Sequence, residues 1–360
     1  MDSLHSLFPR HAASSASGSA PACETGNEFD GRMGLRVSAI FVILVGSSFG
    51  AIFPILAHNF RALGMPGWAF FIAKYFGSGV IVATAFIHLL APAEKALKNE
   101  CLTGPITAYP WVEGIILMTI AVMFFVELMV MRYARFGTGH SHDSEEGDHH
   151  HSDDPAETES PNMEVDKKRH MPGQDHLGHS REHPDTESGK KAAEMEDYVA
   201  QLTSVFILEF GIMFHSIFIG LTLAVSGDEF TTLYIVLVFH QTFEGLGLGA
   251  RLATIAWPHP KRFTPYILAV AYGLSTPIAI AIGLGVRHSY PPEGRTTLIV
   301  NGIFDSISAG ILIYTALVEL MAHEFMFSTS MRKAPILNVL AAFGLLCLGA
   351  LLMALLGKWA

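Results

Sequence analysis

The sequence predicts an all-α membrane protein with eight transmembrane helices. Three observations carry that expectation. Half of the residues are hydrophobic and only 16% are charged, a low share for a water-soluble chain. The apolar stretches reach the roughly 20 residues that cross a bilayer. They are also too numerous for one buried core, falling at 36–58, 68–91, 111–131, 199–226, 231–251, 264–287, 298–321 and 336–356.

Taken in order, residues 1–34 form a Ser/Ala/Gly-rich tail without the continuous apolar core of a cleaved signal peptide, so the first span itself serves as the insertion signal. Spans one to three occupy 35–134, with His58 closing the first span and His88 toward the end of the second. Residues 135–198 then change character. They hold 17 acidic and 7 basic residues, which accounts for the whole formal charge of −10. Rich in Asp, Glu, Ser and Pro and nearly free of aromatics, this loop is expected to be disordered. It contains nine of the 18 histidines, among them His140, His142, His149, His150 and His151. Such a tract suits loose metal binding without fixed geometry, or a solvated tether.

Residues 199–357 supply spans four to eight. His215 interrupts the fourth, and His240, Gln241 and Glu244 interrupt the fifth. The sixth carries Pro277, which frees a carbonyl and permits a kink. Asp305 and Glu319 lie in the seventh, with His323 and Glu324 just beyond it; Cys347 in the eighth reads as a small apolar packer.

Loop Lys/Arg counts set the orientation. With the N-terminus outside, 14 basic residues fall inside and 8 outside, so both termini are expected to be extracellular and the 135–198 loop cytosolic. Cys23 and Cys101 then share the outer side, where an oxidising exterior allows a disulfide; two free thiols are the alternative.

An internal echo relates the second and seventh spans. At a constant offset of 231, Gly79, Thr84, Ala85, Leu89 and Ala91 meet Gly310, Thr315, Ala316, Leu320 and Ala322, and His88 meets Glu319. The two spans run in opposite directions, the mark of an inverted repeat, so a 3+2+3 arrangement is expected. It places His88 and Asp305 toward the outer mouth and Glu209, Glu319 and His323 toward the inner one.

Ionisable groups at membrane depth are costly and mark a site or a path by default. Residues four apart share a helix face, so His240 and Glu244 point together. One divalent ion could take His215, His240 and Glu244, with Ser216 and Gln241 as weaker oxygen donors or supporting partners. Two imidazoles and a carboxylate suit Zn²⁺ and tolerate Fe²⁺ or Mn²⁺, with positions left for water. A lone membrane histidine more often makes an interhelical hydrogen bond. Three such groups together argue for a cation.

The segments HSIFIGLTLA (215–224), HQTFEGLGLG (240–249) and SAGILIYTALVEL (308–320) resemble the ZIP family of metal-ion transporters, in its zinc- and iron-regulated branch. CETGNEFDGRMGLR (23–36) is similar to the pre-helix segment of the fungal members. The resemblance covers 35–357. It implies Zn²⁺ or Fe²⁺ as transported ion and uptake across the plasma membrane into the cytosol, with no catalytic cofactor. It carries the metal ligands onto His215, Ser216, His240, Gln241 and Glu244. Many members hold two metals, using Asn or Asp, Asp, and Glu where this chain has Ser216, Gln241 and Thr276. One principal ion is therefore expected, moved by alternating access.

Partners are accordingly the ion, the lipid bilayer and, as a candidate, a second copy in a homodimer; nucleic acid is not among them. Broad-range divalent import is the alternative. An intramembrane zinc hydrolase would use the same open coordination, but the HExxH helix is absent. A metal sensor reporting through the His-rich loop is a further class.

Overall fold

A computed structural model describes residues 21–59, 67–136 and 187–359. The described chain is helical without strands, and eight helices are long and apolar enough to cross a membrane. They are α1 (Met33–Asn59), α2 (Gly67–Leu97), α3 (Trp111–Phe136), α4 (Glu187–Val225), α5 (Phe230–Thr254), α6 (Thr264–Gly285), α7 (Arg295–Thr315) and α8 (Ile336–Leu356). Pro277 lies inside α6, and Pro54 inside α1. The central loop histidines, His140, His142, His149, His150 and His151, lie outside the described residues.

The helices extend past the limits set by hydropathy. α4 begins at Glu187, twelve residues inside the stretch expected to be disordered. Hydropathy misses this part because it is polar, yet KKAAEME is built of strong helix formers. α2 reaches Leu97 rather than 91, and α7 starts at Arg295 and continues through a π-helical segment, Ala316–Phe327.

That segment has a counterpart. α2 changes to π-helix over Thr84–Leu90, so the two irregular stretches begin at nearly the same place in the 231-residue register. π-Turns are rare and recur at functional sites.

The helices pack in two groups of four. α1 lies along α5 and α6, and α4 lies along α6; α8 lies along α2, and α3 packs on α7. The groups meet where α2 crosses α5 and where α4 crosses α7. Close approach depends on glycine at these seams. A Cβ on Gly249 would fall on Ala51 O of α1, and one on Gly79 would fall on Leu346 O of α8. By contrast α3 and α8 turn most of their apolar surface outward, with Leu117 and Met118 each 68% exposed and Leu337 74% exposed. Lipid, rather than water, is the solvent for such faces.

At the N-terminal end of α1, residues 23–36 strap the two groups together. Cys23 is disulfide-bonded to Cys101, in the loop after α2. Asn27 donates to Tyr290 O at 3.0 Å and to Arg287 O, beyond α6. Arg36 is fully buried, and its guanidinium donates to Leu223 O at 3.1 Å, Ala224 O at 2.8 Å and Ser226 O at 2.5 Å. Those are carbonyls that the end of α4 leaves without intrahelical partners. Phe29 and Phe230 cover the cation at 4.6 and 4.4 Å, and Asp30 pairs with it at 2.8 Å. Hydrogen bonds from Arg32 and then Arg36 hold the Asp30 carboxyl below its ordinary range.

Gly249→Ala is expected to destabilise the fold by about 1–3 kcal/mol, the cost of overpacking a tight seam. Thermal unfolding of the detergent-purified variant measures this; an unchanged midpoint would show that α1 and α5 can separate without penalty.

Candidate metal site

α4 and α5 bring the predicted donors together in the middle of the bundle. The His215 and His240 rings lie 5.7 Å apart, centroid to centroid. One turn on, Glu244 Oε2 is 3.8 Å from His240 Nε2, as their i,i+4 spacing requires. All three side chains are buried, Glu244 completely.

Their polar atoms are conspicuously unpaired. His215 Nδ1 and Nε2, His240 Nε2, both Glu244 oxygens, Thr276 Oγ1 and Asp305 Oδ1 are buried without hydrogen-bond partners. Each such group ordinarily costs about 1–3 kcal/mol, so several at one place need a compensating ligand.

Ser216 and Gln241 stand differently. Gln241 Nε2 donates to Ser216 Oγ at 3.2 Å, and Tyr272 Oη donates to Gln241 O and Oε1, at 2.6 and 2.7 Å. These two predicted donors are thus engaged with the protein, and they brace α4, α5 and α6 against one another beside the unpaired set.

His88 and Asp305, placed by sequence at the outer mouth, lie instead against the central histidines. The His88 ring is 4.6 Å from that of His240, and Asp305 Oδ1 is 3.7 Å from His215 Nδ1. The reason is helix length. α2 runs nine residues past His88 and α7 begins ten before Asp305, which at 1.5 Å per residue sets both about 13–15 Å in from the helix end. His88 Nε2 lies 2.9 Å from Met353 O, an acceptor only, so this nitrogen carries a ring proton.

Toward the other end the expected inner residues separate. Glu209 is buried on α4 with both oxygens unpaired. Glu319 accepts from Arg251 Nη2 at 3.2 Å, and His323 Nδ1 lies 3.7 Å from the same Glu319 oxygen. Arg251 also reaches Glu324 at 3.5 Å, and Lys74 pairs with Glu324 at 2.5 Å. Neither these partners nor Tyr272 could be read from the sequence, because nothing in helical spacing reveals contacts between remote helices.

Among the described residues no three His, Cys, Asp or Glu side chains already form a metal cage. The donors stand as two pairs, His215 with Asp305 and His240 with Glu244, at separations near 4 Å.

Residues 33–357 match the family model of the ZIP zinc transporters. The chain is 43% identical to zinc-regulated transporter 2 of Saccharomyces cerevisiae, over 95% of this chain and 98% of that protein. It is 43% identical to zinc-regulated transporter 1 of the same yeast, over 93% and 90%. It is 33% identical to zinc transporter 3 of Arabidopsis thaliana, over 97% and 93%.

Tyr272→Phe removes the donor that Gln241 Oε1 and its carbonyl share. Stability is expected to fall by about 1–3 kcal/mol, read as a lower thermal midpoint in detergent. An equal midpoint would mean that the brace through α6 carries no load.

Proposed function

The chain belongs to the ZIP zinc transporter family, and we propose that it carries a divalent metal ion, zinc foremost, into the cytosol, binding it between α4 and α5 on His215, His240 and Glu244. It is a multi-pass membrane transporter and not an enzyme. The observation that carries the site is the gathering of unpaired, buried imidazole and carboxylate atoms at the centre of the bundle. One cation satisfies them together, and its charge offsets the burial of Glu244.

The donors divide between the two helix groups. His215, His240 and Glu244 belong to α4 and α5, while His88 and Asp305 reach across from α2 and α7. An ion at this boundary feels both groups, and displacing one group against the other changes which donors it keeps. That supports alternating access, with the 3+2+3 inverted repeat as its frame. The paired π-segments and the contact pattern favour the repeat: exchanging α1 with α6, α2 with α7, α3 with α8 and α4 with α5 returns each principal contact to another.

Ser216, Gln241 and Thr276 replace stronger oxygen ligands, and the first two are bonded to each other, which supports a single principal ion. Fe²⁺ and Mn²⁺ fit the same imidazole and carboxylate set. Both termini are assigned outside, in the plasma membrane, in keeping with the basic inner loops and with a disulfide on the N-terminal side. Glu209, Glu319 and His323 are assigned to the path inward.

In transporter-deficient cells, His215→Ala and Glu244→Ala are each expected to lower uptake of radiolabelled Zn²⁺ about tenfold or more, the scale at which even supporting partners of a metal site act. Competition by Fe²⁺, Mn²⁺ and Cd²⁺ ranks the ions. Accumulation that matches the parent chain, at equal surface level, would overturn the site.

A further inference from the structure

The inner end of the bundle holds a charge cluster whose composition fits a latch. α7 contributes Glu319 and Glu324, α5 contributes Arg251, and α2 contributes Lys74. Five residues separate the two glutamates, and both reach the same guanidinium. They do so because Ala316–Phe327 is π-helical, and its i→i+5 geometry returns residues five apart to one side. The carboxylate of Glu324 is shared, with Arg251 on one oxygen and Lys74 on the other.

Two features set this cluster apart from an ordinary surface ion pair. It is largely buried, with Arg251 9% and Glu319 8% exposed, so its charges depend on one another rather than on water. It also spans the seam, since Arg251 belongs to the group containing α1, α4, α5 and α6, while its partners belong to the other. Arg251 stands seven residues, about 10 Å, below Glu244 on the same helix. A cation leaving Glu244 inward meets this guanidinium before it meets Glu319.

We propose that Arg251 and Lys74 are resident counter-cations that latch the inner end shut, and that a departing divalent ion opens the latch by taking their place on Glu319 and Glu324. The charges balance: two carboxylates neutralised by two monovalent side chains exchange them for one ion of charge two. Loss of the Arg251 contact releases one helix group from the other, which joins ion release to the opening of the exit. The inference rests on the alternating movement proposed above, but its test reads exposure and not transport.

Thr315, buried one turn above Glu319, serves as the reporter. Thr315→Cys is placed in a chain carrying Cys347→Ala, which removes the free exposed thiol. Inside-out vesicles are then treated with a membrane-impermeant maleimide. With the latch intact, labelling is expected to be low. Arg251→Gln should raise it about tenfold, because truncating one partner of a buried pair leaves the other uncompensated. Glu324→Gln removes one of Arg251's two carboxylates across the seam and should act in the same direction, so it decides the matter if Arg251→Gln fails to reach the membrane. Arg251→Glu combined with Glu319→Arg restores the pair across the seam in reverse and should bring labelling back toward the parent level, which a merely loosened fold would not do.

Unchanged labelling in Arg251→Gln or Glu324→Gln, whichever reaches the membrane, or failure of the reversed pair to restore protection, overturns the latch. Neither result bears on the His215 and Glu244 site, which stands or falls on uptake.

Discussion

Inside a bilayer no water waits to satisfy a stranded polar atom, and this constraint organises the whole molecule. Helices α4 and α5 carry imidazole and carboxylate to the depth where stranding costs most. A fold that tolerates this must supply a partner, and the partner we propose is the cargo itself. Two other buried polar groups are treated in the opposite way. Arg36 is wrapped by carbonyls and aromatic faces, and Gln241 is held by Ser216 and Tyr272.

The same distinction explains why the donors sit at a seam. Within either helix group, glycine contacts draw backbones close together and leave little freedom. Between the groups glycine again allows close approach, at Gly77 and Gly247, and the contacts include charge pairs that can exchange partners. Paired π-segments in α2 and α7 put His88 and Glu319 at comparable points of two oppositely directed helices. One lies against the central histidines and the other against Arg251, so one sequence device serves two depths.

Much of this was legible in the residues. The eight spans follow from apolar run length, and the His240–Glu244 pair from the four-residue period. The offset of 231 pointed to the two places where the helices become irregular. What escaped has a common cause. Hydropathy marks where lipid ends and not where a helix ends, so α2, α4 and α7 were drawn short, and His88 and Asp305 were placed too near the surface. Contacts of remote helices, such as Tyr272 with Gln241 or Lys74 with Glu324, have no periodic trace at all. Arg36 counted in the sequence as one more outer charge; its burial follows from the unpaired carbonyls of α4, which only the fold brings near.

The strap over residues 23–36 has a mechanical meaning. It is welded at Cys101 to one helix group and clasped through Arg32 and Arg36 to the end of α4 in the other. From Cys23 to Arg32 the backbone can span about 30 Å when pulled straight. Whatever excursion separates the groups at that face, this leash sets its outer bound.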